Sequence, residues 1–375
     1  MAKPYFRVHR NQLFPALAAV FEAVERKATI PILANVLLQP RSADLLLRGT
    51  DLDIEIEASC ELLEEGNGET VTLLGEDLMK IVKGLPETAE IEFAPGAYNG
   101  QVLIRSGKSR FTLLSLPSGD FPSIADKVKG DTFPISMSVL ADACNRVLYA
   151  VGVTDAARIF LQGICLKPYM SGAKIAVAGC DGHNLAVVRI GTNEPVNFPT
   201  VIIPVQMINA MCKLVGKSKS TAIFTISESL IRLECDGLTI ISKLIDAQYP
   251  EYERLIPSAN EKEVIAPVAN LSAAVDRVCI VANDVAKDVV KLTLDGGSIK
   301  LQLATLEGEE AYEEIAADCF GDSIEIGFNG RYLKGMLGSI QTQDVAMYFS
   351  DGGTAGLFKP TIESDELYII MPKRV

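Results

Sequence analysis

The chain has 375 residues, 48% of them hydrophobic, and a formal net charge of −13 at pH 7. A single hydrophobic core rarely grows beyond about 250 residues, so the length predicts two or three domains. The acidic balance argues against a general nucleic-acid coat, because duplex DNA would be repelled from most of the surface, but it leaves room for a small basic face.

The sequence also favours one compartment. It contains no run of about 18 apolar residues and no pattern of a secretion signal. Its eight cysteines are scattered without a CxxC pair, mostly among apolar residues, as buried reduced thiols are. We therefore expect a cytoplasmic protein with no membrane partner.

One strand-turn-strand pattern occurs three times along the chain. It reads LLLRGTDLDIEIE at 45–57, IAVAGCDGHNLAVV at 175–188 and IKLQLATLEGEEA at 299–311. Apolar residues alternate in each copy, which is typical of strands with one buried face. In the first copy, Ile54 and Ile56 are expected to face inward, with Glu55 between them facing outward.

An amphipathic helix is predicted before and after each copy of this pattern. The helices before it span 11–22, 138–148 and 270–281, and those after it span 76–85, 205–215 and 330–340. With the flanking strands, each third of the chain predicts the order β-α-β-β-β twice over. We expect an α+β fold of three repeated domains, bounded at 1–124, 125–252 and 253–375, with the helices on one face of the sheets.

Edge-to-edge joining of such domains would form an outer wall of sheets lined by helices. The predicted helices and their flanks carry more basic than acidic residues, whereas the rest of the chain is strongly acidic. This asymmetry favours a basic inner face, although ordinary solvated helix surfaces would give the same composition.

Six stretches of the sequence resemble the bacterial DNA sliding clamps, the β subunits of DNA polymerase III. They are ATIPILANVLL (28–38), GTDLDIEIE (49–57), IRSGKSRFTLLSLPSGDFP (104–122), GCDGHNLAVV (179–188), YPEYERLIP (249–257) and YIIMPKRV (368–375). The resemblance covers nearly the whole chain. It implies a homodimeric, six-domain ring around double-stranded DNA, held by topology without sequence preference. It also implies a non-enzymatic processivity factor without cofactor or metal, associated with the nucleoid during replication.

The stretch GCDGHNL (179–185) places a thiol, a carboxylate and an imidazole close together. Catalytic triads usually assemble from distant positions, and zinc would need two further ligands, whereas the only other histidine is His9. The residues therefore favour neither a catalytic site nor a metal site.

The resemblance implies instead that this stretch forms one wall of a hydrophobic cleft between the second and third domains. Replicative and translesion polymerases, clamp-loader subunits, mismatch-repair proteins and others would dock short peptides there through a Gln and a Leu-Phe pair. The implied cleft residues are Leu161, Cys180, Gly182, His183, Asn184, Leu185, Pro250, Arg254, Leu255, Ile369, Met371, Pro372, Lys373, Arg374 and Val375. Family members often carry Thr at position 180, Arg at 184 and an apolar residue at 373. The alternative for this set is a plain interdomain core.

The resemblance also implies a set of DNA-contacting residues. They are Lys27, Lys80, Arg158, Phe160, Lys213 and Lys217. Relatives often carry basic residues at helix starts where this chain has Glu76, Asp77, Val205 and Gln206. Contact with DNA is therefore expected to be weaker or to shift toward the lysines of the helices.

The dimer interface implied by the resemblance joins the first domain of one subunit to the third domain of the other. Its residues are Arg105, Arg110, Phe111, Leu113, Ile280 and Val281. The alternative for Phe111 and Leu113 is a place in the core of their own domain.

Two other classes of protein stay open from the residues alone. One is a scaffold of the same fold that binds peptides but never encircles DNA, and the other is an enzyme that uses Cys180 and His183. Nucleotide binding is not predicted. The tripeptide GKS occurs twice, but a phosphate-binding loop needs a glycine five positions earlier, where the chain has Val102 and Met211.

Overall fold

The computed structural model describes residues 3–25, 27–66, 68–125, 128–152, 157–282, 284, 288–362 and 364–374. The first third forms β1 (Phe6–His9), α1 (Arg10–Val20), β2 (Asn35–Pro40), β3 (Asp44–Thr50), β4 (Ile54–Glu61), β5 (Val71–Leu74), α2 (Gly75–Gly84), β6 (Glu90–Pro95), β7 (Gln101–Ser106) and β8 (Ser109–Leu116).

The second third repeats this order. It forms β9 (Asp131–Ser136), α3 (Met137–Leu148), β10 (Gly163–Tyr169), β11 (Lys174–Cys180), β12 (Asn184–Gly191), β13 (Val201–Pro204), α4 (Val205–Leu214), β14 (Thr221–Ile226), β15 (Leu230–Cys235) and β16 (Leu238–Lys243).

The last third repeats it again and adds the three-residue strand β21. It forms β17 (Lys262–Pro267), α5 (Val268–Val278), β18 (Val289–Asp295), β19 (Ser298–Ala304), β20 (Glu310–Ala316), β21 (Asp318–Phe320), β22 (Ile324–Asn329), α6 (Gly330–Ser339), β23 (Asp344–Phe349), β24 (Gly356–Pro360) and β25 (Glu366–Ile370). The predicted α+β fold, with strand-helix-three strands twice in each third, is confirmed.

The helices each present an apolar stripe to a sheet. In α5 the buried residues Leu271, Ala274, Val275 and Val278 follow the i, i+3, i+4, i+7 spacing of one helix face. Among the described residues, no helix is long and apolar enough to cross a membrane.

The chain forms two compact units. The first consists of Met1–Ser138 and Asn209–Leu244, and contains a 12-stranded sheet in the order β1-β6-β7-β8-β5-β2-β3-β4-β16-β15-β14-β9. Within it β4 and β16 pair antiparallel, with Ile56 opposite Ile240. A strand of the first repeat is thus joined edge to edge with a strand of the second repeat.

The second unit consists of Val139–Ile208 and Ile245–Val375. Its larger sheet has nine strands in the order β13-β10-β11-β12-β25-β24-β23-β17-β21, and its smaller sheet has the order β20-β19-β18-β22. Antiparallel pairing of β12 with β25, with Leu185 opposite Ile369, joins the second repeat to the third in the same edge-to-edge manner.

Within the described part of the chain, the last strand of the second half of the first repeat, β8, and the last strand of the first half of the third repeat, β20, each keep an open edge. β8 pairs with β7 through residues 109–114 and meets β5 only at Ser115 and Leu116. β20 pairs with β19 alone. The free N–H and C=O groups of such an edge can pair with a strand of another chain.

Glu55 is buried, so its predicted exposure to solvent was wrong. It faces away from Ile54 and Ile56 as the alternation requires, but the segment after β8 covers it. Its carboxylate accepts hydrogen bonds from the Ile124 N–H at 2.8 Å and the Ser123 hydroxyl at 3.2 Å, and Arg48 Nε lies 3.2 Å from it. The buried carboxylate therefore attaches the connection between the first two repeats to the sheet.

Burial raises the pKa of Glu55 above its ordinary value, although the Ile124 N–H and Arg48 oppose the shift. A raised folded-state pKa stabilises the fold below the unfolded pKa, and this contribution is lost as the pH rises through the folded pKa. We expect Glu55→Gln to lack this term. The unfolding free energy of the native chain minus that of the variant should therefore increase as the pH falls from 7.5 toward 5.

Urea unfolding of both proteins at several pH values measures this difference, and the other titrating groups cancel because both proteins share them. A difference that stays constant with pH would show that Glu55 keeps its ordinary pKa.

Candidate functional site

The stretch GCDGHNL forms a tight turn between β11 and β12. Asp181 Oδ1 accepts hydrogen bonds from the backbone N–H groups of His183 and Asn184, both at 2.8 Å. Gly182 has φ +90°, and a Cβ at this position would lie 2.5 Å from Arg158 Nη1. The left-handed φ at position 182 favours glycine, and the missing Cβ leaves room for the Arg158 guanidinium.

The equivalent turn of the first repeat has the same hydrogen bonds. Asp51 Oδ1 accepts from the N–H groups of Asp53 at 2.9 Å and Ile54 at 2.8 Å. In the third repeat Thr305 takes this place, and its hydroxyl accepts from the Glu309 N–H at 3.1 Å. A side-chain acceptor closes the turn in all three copies, so the role of Asp181 is structural.

The thiol beside this turn is not prepared for nucleophilic chemistry. Cys180 is only 6% exposed, and burial raises the pKa of its thiol. Across the described residues, no three His, Cys, Asp or Glu side chains form a group that could hold a metal ion.

A cavity of about 550 Å³ opens beside the turn. Four segments of the second unit line it: the turn after β11, the connection before β17, the loop between β23 and β24, and the end of β25. The lining residues are Cys180, Gly182, His183, Asn184, Leu185, Arg254, Leu255, Ile256, Pro257, Ser258, Gly353, Thr354, Ala355, Ile369 and Met371. We call this cavity the cleft.

The floor of the cleft belongs to a hydrophobic cluster that contains Cys180, Leu185 and Ile369. At the rim Leu255 is 51% and Met371 48% exposed. Apolar side chains that are accessible at the mouth and buried at the floor can take up apolar side chains of a ligand.

Polar and charged groups stand at the rim of the cleft. His183 is exposed, and the Arg254 guanidinium reaches the carboxylate of Glu251 at 2.6 Å while staying mostly exposed. These groups can orient the polar parts of a bound chain.

The structure brings together nine of the cleft residues named from the sequence. They are Cys180, Gly182, His183, Asn184, Leu185, Arg254, Leu255, Ile369 and Met371. Leu161 lies below them in the hydrophobic cluster, at 2% exposure.

The remaining named residues lie outside the cleft wall. Pro250 borders a separate cavity of about 230 Å³. Past Met371, the Lys373 N–H donates to the Gly327 carbonyl at 2.8 Å. This hydrogen bond places the segment 372–374 beside β22. Val375 lies outside the described residues.

Asn184 contributes to the cleft differently from its neighbours. It pairs with Ile370 across the sheet, and successive side chains of a strand point to opposite faces. Its carboxamide therefore lies on the face opposite to Leu185 and Ile369. It is 2% exposed there, and neither polar atom has a hydrogen-bond partner within the described residues.

Six lining residues were missed from the sequence: Ile256, Pro257, Ser258, Gly353, Thr354 and Ala355. The last three belong to SDGGTAG, whose composition indicates only a turn. Tyr332 of α6 was also missed, although it stands behind the turn. Burial and the nearby Asp181 carboxylate raise the pKa of Tyr332 to about 12. No local pattern could have connected these positions, because the cleft assembles from distant segments.

The residues named for DNA contact are mostly exposed. Lys27, Lys217 and Arg158 are accessible, whereas Phe160 is half-buried against the hydrophobic cluster beneath the cleft. Two of the lysines form ion pairs: Lys80 Nζ lies 2.6 Å from the Glu76 carboxylate, and Lys213 Nζ lies 2.7 Å from the Glu22 carboxylate.

The residues named for the dimer interface lie on β8, on the neighbouring strand β7 and, just after α5, near β20. Phe111 and Leu113 are half-buried in β8, whereas Ile280, just after α5, is 77% exposed with Val281 beside it. Arg110 is exposed, and Arg105 contacts Glu92 of its own chain at 2.8 Å.

Comparison with known proteins covers the whole chain. The N-terminal, central and C-terminal domains of the DNA polymerase III beta subunit match residues 5–125, 134–251 and 253–374. The beta sliding clamp of Pseudomonas putida is 32% identical over 372 residues, which cover 99% of this chain and 100% of that protein. The beta sliding clamp of Caulobacter vibrioides is 31% identical over 376 residues, at 98% and 99% coverage.

Solved structures agree with these relatives. The DnaN sliding clamp of Pseudomonas aeruginosa bound to griselimycin superimposes with a TM-score of 0.92 at 31% identity, covering 99% of both chains. That of Bartonella birtlesii bound to griselimycin gives 0.93 at 32% identity, again with 99% of both chains. The threefold repeat is the fold of the DNA sliding clamps. This chain belongs to the DNA polymerase III beta subunit family.

The unpaired carboxamide of Asn184 gives a stability prediction. A buried polar group without a partner costs about 1–3 kcal/mol, so Asn184→Leu should raise the free energy of unfolding by about 1–2 kcal/mol. Thermal or urea unfolding measures the change.

Asn35→Leu is the matched control. Asn35 is 4% exposed, but its Nδ2 donates to the Thr72 hydroxyl at 3.1 Å, so the same substitution should lower stability there. If both variants lost stability equally, the carboxamide of Asn184 would have a hydrogen-bond partner in solution.

Proposed function

We propose that this chain is the processivity factor of a replicative DNA polymerase. Two copies close a ring of six domains, bounded in each copy at 1–124, 125–252 and 253–375, around double-stranded DNA in the cytoplasm. The ring works by topology and tethering, without catalysis, cofactor or metal. The observation that carries the proposal is the pair of open strand edges at β8 and β20.

The open edges of β8 and β20 support ring closure, because edge-to-edge strand pairing already joins successive repeats within the chain. Within the chain, β4 with β16 and β12 with β25 join successive repeats through backbone hydrogen bonds. β8 of the first repeat and β20 of the third lack such a neighbour in the described residues. Pairing β8 of one copy with β20 of another, twice over, satisfies both edges in a closed head-to-tail dimer.

Exposed apolar residues near these edges support the same contact. Leu114 of β8 is 72% exposed, Tyr312 of β20 is 59% exposed and Ile280 is 77% exposed. Phe111 and Leu113 add half-buried apolar surface on β8. A second copy that covers these side chains removes apolar area from water.

Retention on DNA follows from the closed ring rather than from tight contact. Exposed lysines such as Lys27 and Lys217, with Arg158, contact phosphates and so give no sequence preference. The overall charge of −13 discourages DNA from binding elsewhere on the surface.

The cleft binds the partners. A peptide with a Gln and a Leu-Phe pair places its apolar side chains against Leu185, Ile369 and Met371, while His183 and Arg254 orient its polar groups. The polymerases, clamp-loader subunits and repair proteins that carry such peptides compete for one cleft in each copy.

A peptide-binding scaffold that never encircles DNA is the second candidate. The ion pairs of Lys80 with Glu76 and of Lys213 with Glu22 favour it, because they occupy two of the lysines expected to reach phosphates. Retention on closed circular DNA, with release when the circle is cut, separates the ring from the scaffold.

The dimer interface can be tested with Ile280→Asp. Ile280 is 77% exposed in the single chain, so the substitution should leave its fold intact but place an unpaired charge in the apolar contact. Sedimentation equilibrium should give about 80 kDa for the native protein, twice the chain mass of 40.4 kDa, and the mass of one chain for the variant at micromolar concentration. The variant should also lose retention on circular DNA.

Ile362→Asp is its matched control, since Ile362 is 67% exposed in the same unit but far from both open edges in sequence and strand pairing. It should remain dimeric. A monomeric native protein would remove the ring and the sliding mechanism, and a dimeric Ile280→Asp protein would place the interface elsewhere.

Removal of residues 371–375 tests the cleft. Met371 lines the cavity, and its N–H donates to the His183 carbonyl at 2.8 Å, so the truncation opens one wall and frees the turn. We expect the affinity for a labelled peptide with Gln and Leu-Phe to fall by at least about tenfold, measured by fluorescence anisotropy, while the dimer mass stays unchanged. Full-strength binding by the truncated protein would show that the peptide docks elsewhere.

A further inference from the structure

One side chain outside the cleft lining links two of its walls. Asn260 lies between the connection 254–258 and β17, and is half-buried. Its Nδ2 donates two hydrogen bonds, to the Tyr348 carbonyl at 2.9 Å and to the Ala355 carbonyl at 3.0 Å. Both donor hydrogens of the carboxamide are therefore used.

The two acceptors stand at the two ends of one loop. Tyr348 is near the end of β23, and Ala355 comes just before β24, so Asn260 bridges the two ends of the loop 350–355. Inside the loop the Gly353 N–H donates to Asp351 Oδ1 at 2.8 Å, and this bond holds the pKa of Asp351 below its ordinary value. The loop is thus closed at its base and tightened at its tip.

Both segments that meet at Asn260 line the cleft. The loop supplies Gly353, Thr354 and Ala355, and the connection before Asn260 supplies residues 254–258. A shift between these segments changes the width of the cleft, although Asn260 itself is not among the lining residues.

We propose that Asn260 is a positioning residue of the cleft, which sets the spacing between the connection 254–258 and the loop 353–355 at the width that a docked peptide requires. This inference rests on the proposed peptide-binding function. The ligand class is a short extended peptide whose apolar side chains lie between these two walls.

The chemistry required at position 260 is narrow. A carboxamide offers two N–H donors from one nitrogen, which matches two carbonyl acceptors. A carboxylate has the same shape but offers no donor and adds a charge against two carbonyl oxygens. A protonated carboxyl offers one donor and restores at most one of the two bonds.

The test compares Asn260→Asp with the native chain in fluorescence anisotropy with the labelled Gln and Leu-Phe peptide. We expect the affinity of the variant to fall about tenfold at pH 7.5. One or two lost hydrogen bonds account for this change, since about 1.4 kcal/mol corresponds to a tenfold change in affinity. As the pH falls toward 5 and the introduced carboxyl takes up a proton, the affinity of the variant relative to the native chain should recover in part. A residue that only holds the fold together would lower the unfolding free energy of the variant and leave the affinity of the folded chain unchanged.

The native chain measured at each pH provides the reference. The charged groups nearest in the chain and loop, Glu261, Lys262, Glu263 and Asp351, are the same in both proteins. Hydrogen exchange of the backbone amides of residues 353–355 should be faster in the variant at pH 7.5 and unchanged elsewhere in the second unit.

Asn99→Asp is the matched control, because Asn99 is exposed in the first unit and lines no part of the cleft. If Asn260→Asp does not fold, Asn260→Ala should show the same loss of affinity and the faster exchange, without recovery at low pH. Native-like affinity and exchange in the folded variant would overturn the role of Asn260. A native chain that binds no peptide would instead overturn the proposed function.

Discussion

Backbone hydrogen bonding at the edges of sheets is the constraint on which the rest of the structure depends. Each repeat ends in strands whose outer N–H and C=O groups need partners, and β4 with β16 and β12 with β25 provide them across successive repeats. The sheets therefore continue from one repeat into the next. Apolar side chains pack on one side of this continuous backbone, and the edges that stay open are available to a strand of another chain.

The cleft uses a turn that the fold already needs. Asp51, Asp181 and Thr305 close the equivalent turns of the three repeats through side-chain oxygens. The first and second turns both lie beside a strand of another repeat, because β4 pairs with β16 and β12 pairs with β25, and the cleft opens beside the second turn. The proposed binding surface therefore uses a turn that is repeated along the chain and lies at a junction between repeats, and the residues in the turn need no reactive chemistry of their own.

Sequence patterns were sufficient for the repeat and the six helices, because these depend on local periodicity, whereas the cleft residues were named from the resemblance to the sliding clamps. The patterns failed where the neighbour is distant. Glu55 alternates as an outward residue, yet Ile124 and Ser123 cover it. Asn184 belongs to the cleft in sequence, yet the register with Ile370 turns its carboxamide to the other face. The loop 353–355 looks like any turn until strand pairing brings it to the cleft.

For the proposed ring, the ion pairs of Lys80 with Glu76 and of Lys213 with Glu22 have a consequence for the friction between the protein and duplex DNA. When a phosphate approaches one of these lysines, the lysine exchanges its carboxylate partner, Glu76 or Glu22, for the phosphate. Exposed pairs of this kind differ from solvated charges by only about 0–1 kcal/mol, which is close to thermal energy. In the proposed ring, each such contact along the duplex would be a shallow well of similar depth, so that diffusion along DNA would proceed over a nearly flat energy profile.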